Sequence, residues 1–163
     1  MKYYQLDPEL AGTTGDDTIC EDWSARPVVF YKLQFELEEW PHDDIIEANF
    51  SAYAGTHRLA DAIRAAGLTG IEIDRLDMIK GDQFWIIEEE HPGETIPEYL
   101  WFKFPGKPGV DDFGMTHIKG GFPLIVSEKA LAVLRKFKLQ NCRIKDFDQS
   151  MVCTLPALMD LGD

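Results

Sequence analysis

With 163 residues the chain has the length of one ordinary domain, long enough to bury about two thirds of the surface its unfolded form would expose. Its 45% hydrophobic and 28% charged residues exclude a disordered or fibrous protein, and no stretch approaches the roughly 20 apolar residues that span a bilayer. The formal charge of −13 is uneven: residues 121 to 163 carry six Lys or Arg against five Asp or Glu, a local +1, which leaves −14 on residues 1 to 120.

Such a field repels nucleic acid and anionic lipid and speeds encounter with a basic protein, although acidity also serves solubility alone. The opening Met1 to Glu9 turns acidic at once and offers no apolar run, so it does not read as a secretory signal. Cys20, Cys142 and Cys153 lie far apart, in no CxxC spacing and in odd number, unlike a secreted disulfide framework. Reduced thiols in a cytoplasmic protein are the expectation.

Along the chain, Gly12, Gly15 and Asp16-Asp17 read as a loop. Val28 to about Glu38 is the clearest strand, with Val29, Tyr31, Leu33, Phe35 and Leu37 alternating with Phe30, Lys32, Gln34, Glu36 and Glu38. Trp40-Pro41-His42-Asp43-Asp44 stops it, because proline lacks a ladder donor and aspartate bonds its own backbone in turns. Phe50 to Tyr53 reads as a short strand feeding a helix over about 57–66, capped by Thr56. A leucine, Leu68, then Gly70 and a strand at Ile71-Glu72-Ile73-Asp74 follow. Phe84-Trp85-Ile86-Ile87 and Tyr99 to Phe104 read as strands separated by an acidic, proline-containing loop from Glu88 to Pro97. Phe122 to Val126 is a buried strand leading into a second helix, over about 128–138, capped by Ser127.

The two helical segments repeat each other at an offset of 71 residues. Thr56 meets Ser127, and Leu59, Ala62, Ile63 and Ala66 meet Ala130, Val133, Leu134 and Phe137, one apolar stripe on each helix. Leu68 and Leu139, then Gly70 and Asn141, residues that tolerate left-handed backbone, precede the strands Ile71–Asp74 and Cys142–Lys145. This is either an internal duplication or two solutions to one packing problem. Either way the fold class is α+β, a mostly antiparallel sheet with two short capped amphipathic helices in a single domain over 1–163. The apolar tail, residues 148–163, docks on the core or on a partner.

Chemistry is hard to find in these residues. His42, His57, His91 and His117 sit in or near turns without metal-ligand spacing, and His57 at a helix start reads as neutral surface decoration. No phosphate loop and no GxSxG is present, and Ser127 is already a cap. We therefore expect no catalytic residue, no cofactor and no metal. The acidic runs Glu36-Glu38-Glu39, Asp43-Asp44 and Glu88-Glu89-Glu90 are the candidate partner-binding residues. Asp111-Asp112 is the place to look for the alternative, a small hydrolase or transferase using a carboxylate pair. A binding module with another partner is a further alternative.

Several segments together resemble a known family. Met1-Lys2-Tyr3-Tyr4 with Leu6, Pro8-Glu9 and Ala11-Gly12, the helix into Ala66-Gly67-Leu68-Thr69-Gly70, Asp111-Asp112-Phe113-Gly114, and Val126 to Leu131 running on to Asn141-Cys142 occur in this order. In that order they are similar to a widespread group of immunity proteins of bacterial polymorphic toxin systems, earlier catalogued as a domain of unknown function. The resemblance implies a cytoplasmic protein that binds and neutralises a cognate toxin without catalysis. Charge complementarity to a basic toxin fits that implication. Neither nucleic acid nor membrane is an expected partner, and the residues leave the oligomeric state open.

Overall fold

The structure, a computed structural model, describes residues 1–153. Its elements begin with β1 (Tyr3–Asp7), β2 (Glu9–Thr14), β3 (Ile19–Cys20), β4 (Phe30–Lys32), β5 (Gln34–Leu37), β6 (Ile45–Ala48) and β7 (Ala52–Thr56). They continue with α1 (His57–Ala65), β8 (Glu72–Asp74), β9 (Asp77–Lys80), α2 (Phe84–Glu89) and β10 (Tyr99–Lys103). The last are β11 (Phe113–Met115), β12 (Leu124–Ser127), α3 (Glu128–Leu134) and β13 (Arg143–Phe147). The fold is α+β with mostly antiparallel pairing. Among the described residues no helix is long and apolar enough to cross a membrane.

Seven strands form one sheet in the order β8-β10-β7-β6-β2-β5-β9, and its two edges are consecutive in the chain. Only Arg75 and Leu76 separate β8 from β9, a link that spans at most about 11 Å. Laid flat, the sheet would hold those edges about 29 Å apart. It must therefore curl nearly into a barrel. The concave face is filled by every second residue: Ile46 and Ala48 of β6, Ala52 and Ala54 of β7, Tyr99 and Trp101 of β10, Phe35 and Leu37 of β5. Small alanines leave room there for the rings of Phe35 and Trp101, and Phe84 of α2 packs into the same interior.

The intervening residues of the same wall, Ile45, Tyr53 and Phe102, face outward into a second core. There they meet α1, α3 and a four-stranded antiparallel sheet, β11-β12-β1-β13. Thr56 and Ser127 cap the helices as expected, accepting hydrogen bonds from the amides of Leu59 and Ala130. The stripe residues Leu59, Ile63, Ala130 and Leu134 are buried.

The 71-residue repeat extends well beyond the helices. In the large sheet β10 lies between the strands that flank α1, giving β8-β10-β7-β6; in the small sheet β1 lies between the strands that flank α3, giving β13-β1-β12-β11. The register agrees residue by residue. Tyr99 pairs with Thr56 as Tyr3 pairs with Ser127, Phe102 with Ile73 as Leu6 with Ile144, and Glu47 with Tyr53 as Met115 with Leu124. Each half thus receives its inner strand from the other half.

Several expectations need correction. Residues 28–38 do not form one strand: the backbone N–H of Gln34 is taken by Thr18 Oγ1 at 3.0 Å and its carbonyl by the Gly15 amide at 2.7 Å. Pairing passes there from β3 to β2, which leaves Val29 and Tyr31 47% and 64% exposed. Residues 84–87 are helical, because Phe84 and Ile87, three apart, are the pair that meets the core. Gly12 belongs to β2 rather than to a loop, and the strand before α1 begins at Ala52. The second helix stops at Leu134, since Asp44 holds the Lys138 backbone through both its amide and its carbonyl. Gly70 is left-handed at φ +85°, but Asn141 is not; its amide instead donates to Asp43 at 2.7 Å. Of the tail, Gln149–Met151 forms a 3-10 turn and Val152 bridges Ile118; residues 154–163, on which most of the docking expectation falls, lie outside the described residues.

Candidate functional site

Two of the three acidic runs are linked through the turn at Lys80 and Gly81. Edge strand β9 runs parallel to β5, and the Gly81 amide that ends it donates to the Leu37 carbonyl at 2.8 Å. A Cβ at Gly81 would lie 3.6 Å from both Glu36 Oε2 and Glu38 Cγ. Chain leaving that point enters α2, which carries Glu88 and Glu89 and ends at Glu90. Glu36, Glu38 and Glu39 on one segment therefore neighbour the foot of the helix that bears the second run.

The helix is fixed by its inner residues. Phe84 is 1% exposed and stacks on Trp40 at 6.2 Å between centroids, while Trp40 stacks in turn on His91 at 4.0 Å. Lys80 Nζ pairs with Glu88 at 2.9 Å across the turn. Because each helical residue is rotated about 100° from the last, anchoring Phe84 and Ile87 turns Trp85 and Ile86 outward, where they are 60% and 40% exposed. One turn later Glu89 and Glu90 continue the same two rows. An exposed tryptophan and isoleucine bordered by carboxylates are the result. The sequence carried a signal for them, the three-residue spacing of Phe84 and Ile87, but a run of four apolar residues reads equally well as a strand.

The third run takes no part in this link. Asp43 and Asp44 are each 2% exposed. Asp44 accepts from Thr56 Oγ1 at 2.7 Å, from Arg58 Nε and a terminal guanidinium nitrogen at 2.8 Å each, and from the Lys138 amide at 2.8 Å. Burial alone would push its carboxyl up, yet these donors, Arg58 first, hold it below the ordinary carboxylate value. Asp43 accepts from the amides of Gln140 and Asn141 at 3.1 and 2.7 Å, and burial wins there, raising its carboxyl.

Asp112 is the counterpart of Asp44. The Thr56 amide donates to the Asp44 carbonyl at 2.9 Å, and the Ser127 amide to the Asp112 carbonyl at 2.8 Å. The Asp112 carboxylate accepts from Ser127 Oγ at 2.7 Å and from the Thr69 amide at 3.0 Å. The exchange is reciprocal: Asp44 of the first half grips the chain after α3, and Asp112 of the second half grips the chain after α1. Asp111 accepts from the Lys107 amide at 2.8 Å. Both members of the suspected carboxylate pair therefore hold backbone, and the hydrogen bonds on Asp112 outweigh its burial and keep its carboxyl low.

Three histidines each meet a glutamate: His42 Nδ1 and Glu9 at 2.8 Å, His57 Nε2 and Glu98 at 3.1 Å, His91 Nδ1 and Glu94 at 2.8 Å. His57, at the start of α1, lies on the surface as expected and meets the exposed Glu98 there. Comparison of the chain with protein-family models, with curated proteins and with solved structures finds no match.

Proposed function

We propose that this protein is a toxin-neutralising immunity protein that works by stoichiometric binding to a basic partner, without catalysis. One observation carries the reading: the exposed Trp85 and Ile86 lie on a short helix that runs into Glu88 to Glu90 and whose foot neighbours Glu36 and Glu38. A tryptophan bordered by polar residues is the commonest kind of energetic anchor in a protein interface, and surrounding charge of one sign steers encounter with a partner of the other. The order of motifs shared with immunity proteins supplies the class of partner, a cytoplasmic toxin domain that needs to be held inactive.

Titration of the purified chain into an activity assay of the toxin encoded beside it tests the reading. Inhibition should break near one equivalent. Trp85→Ala should speed dissociation about 30-fold or more, the scale of a 2 kcal/mol hot spot. Reversal of Glu36, Glu38 and Glu39 to lysine should slow association at low salt with little change in stability. Full protection at a small fraction of an equivalent would overturn the proposal.

A further inference from the structure

Away from these acidic runs, a cleft of about 460 Å³ opens between the small sheet and the outer wall of the large one. Asp7, Glu47, Tyr53, Lys119, Arg143 and Lys145 line it. Glu47 projects from β6 on the side of Ile45 and Tyr53, toward the second core, yet among the described residues its carboxyl has neither a hydrogen bond nor an ion pair. Arg143 is engaged by Asp7 at 3.1 Å. Lys119 and Lys145 have no carboxylate partner among the described residues. The hairpin beside Glu47 is strained, with Phe50 and Ser51 both left-handed at φ 63° and 58°, and such strain concentrates at functional sites. Ser51 lines the cleft.

The repeat supplies an internal control. In the other half the position of Glu47 is held by Met115, that of Asp7 by Lys103, and that of Gln5 by Trp101. The groove there is walled mainly by rings and apolar side chains, Phe30, Trp101, Phe102, Phe104, Met115 and Phe122, and its charges, Lys103 and Glu72, face each other at 4.0 Å. An identical backbone arrangement is thus built with an ordinary hydrophobic residue. Folding does not call for a carboxyl at position 47, and half-burying one without a protein partner strips part of its hydration at a cost to stability. We propose that the Glu47 cleft binds a small oxyanion, a carboxylate or phosphate group, gripped by Lys119 and Lys145 at its rim and by the carboxyl of Glu47 at its floor.

Several groups face Glu47. Asp7 comes from β1, Glu9 from β2, Tyr53 from β7, Cys142 and the cations Arg143 and Lys145 from the β13 segment, and Lys119 from the loop before β12. Burial, reinforced by Asp7, pushes the Glu47 carboxyl up to about 8. Burial likewise raises the Tyr53 hydroxyl well above its ordinary value and the Cys142 thiol to about 12. At neutral pH the floor of the cleft therefore carries no charge, and the Glu47 O–H is a donor. Arg143, Lys119 and Lys145 stand against Asp7 and Glu9, the latter turned to the amides of His42 and Asp43, so this spot is cationic in a chain of net charge −13. An anionic oxygen can accept from both ammonium groups and from the carboxyl; ionisation of Glu47 removes the donor and adds repulsion.

Nuclear magnetic resonance titration of the full chain tests this, with succinate for carboxylates and sulfate, whose charge is constant over the range, for phosphates. One anion or both should give saturable shifts at Glu47, Lys119 and Lys145 at millimolar concentration, and the tighter of the two assigns the class. Affinity should fall about ten-fold between about pH 7 and about pH 9, as the protonated fraction does. Glu47→Gln keeps a donor and should bind with affinity that is flat over this range. The Lys119→Glu, Lys145→Glu double variant should lose binding while retaining the wild-type spectrum elsewhere. No saturable shift with either anion at about pH 7, affinity that rises toward about pH 9, or tighter binding of free arginine than of either anion would overturn the proposal.

Discussion

Glu47→Gln should stabilise this protein, by an amount that grows with pH. The carboxyl is displaced from 4.5 to about 8, so between those values the folded chain keeps a proton that the unfolded chain has released. A state that holds the extra proton is penalised as protons become scarce, so this contribution to stability declines from about pH 4.5 to about pH 8 and is level beyond. Taken at 1.36 kcal/mol per unit, the displacement corresponds to about 4 to 5 kcal/mol; water in the open cleft screens part of it, and about 2 kcal/mol is the working figure. Glutamine has nearly the same shape and does not ionise, so the variant escapes the penalty. Urea denaturation of both proteins at about pH 5, 7 and 9 measures it: the midpoints should nearly coincide at the lowest value and separate toward the highest, with equal slopes. A separation of the same size at every pH would refute the argument, because it would trace to packing and not to a proton.

The reciprocal grips and the helix stripes give two further expectations. Asp44→Ala leaves the Thr56 hydroxyl and the Lys138 amide without their buried acceptor and frees Arg58, itself 61% exposed, and should cost about 2 to 4 kcal/mol, whereas Asp112→Ala, at a more open site, should cost about 1 to 3 kcal/mol. Thermal denaturation ranks the pair, and an Asp112 variant the less stable of the two would contradict the assignment. Ile63→Ala and Leu134→Ala remove matched residues that are 1% and 0% exposed and should each cost about 2 to 4 kcal/mol, read as a lowered denaturation midpoint.

Legibility from sequence followed the range of the interactions. Thr56 and Ser127 were readable because capping is decided within three residues, and the helix stripes because their period is local. The short strands of β2, β6, β9 and β11 were not: three to six residues long, they take their character from partners as distant as the 43 residues between Gln34 and Asp77. The acidic runs looked alike in sequence and diverged in space. Asp43 and Asp44 were drawn inward by amides about 95 residues away, while the parallel pairing of β5 with β9 set Glu36 and Glu38 beside the turn that leads into the helix of Glu88 and Glu89. Trp85 and Ile86 escaped notice because helix and strand readings of Phe84 to Ile87 differ in which residues they expose. Glu47 gave no signal at all, since what sets it apart is the lack of a partner.

The two halves also separate what the fold demands from what it merely permits. Where both halves chose alike, the choice is a packing or hydrogen-bonding requirement: Asp44 and Asp112 behind the caps, Thr56 and Ser127 as the caps, Ile73 and Ile144 on the outer strands. Where they chose oppositely, the backbone is indifferent and another constraint has decided. Lys103 faces Glu72 and Asp74 at 4.0 and 3.2 Å, and at the matching place Asp7 faces Arg143 at 3.1 Å, with Lys145 where Asp74 stands. The charges are exchanged in sign while the strands keep their register. An acidic protein whose fold tolerates either sign at these positions places two lysines beside an unpaired carboxyl in one groove and lines the other with aromatic rings, Met115 and the paired Lys103 and Glu72. Both grooves carry charge, but Lys103 of the one is paired with Glu72 and Asp74, whereas among the described residues Lys119 and Lys145 of the other have no carboxylate partner; that difference is what the proposed ligand of the polar groove, distinct from any partner of the acidic residues, would complete.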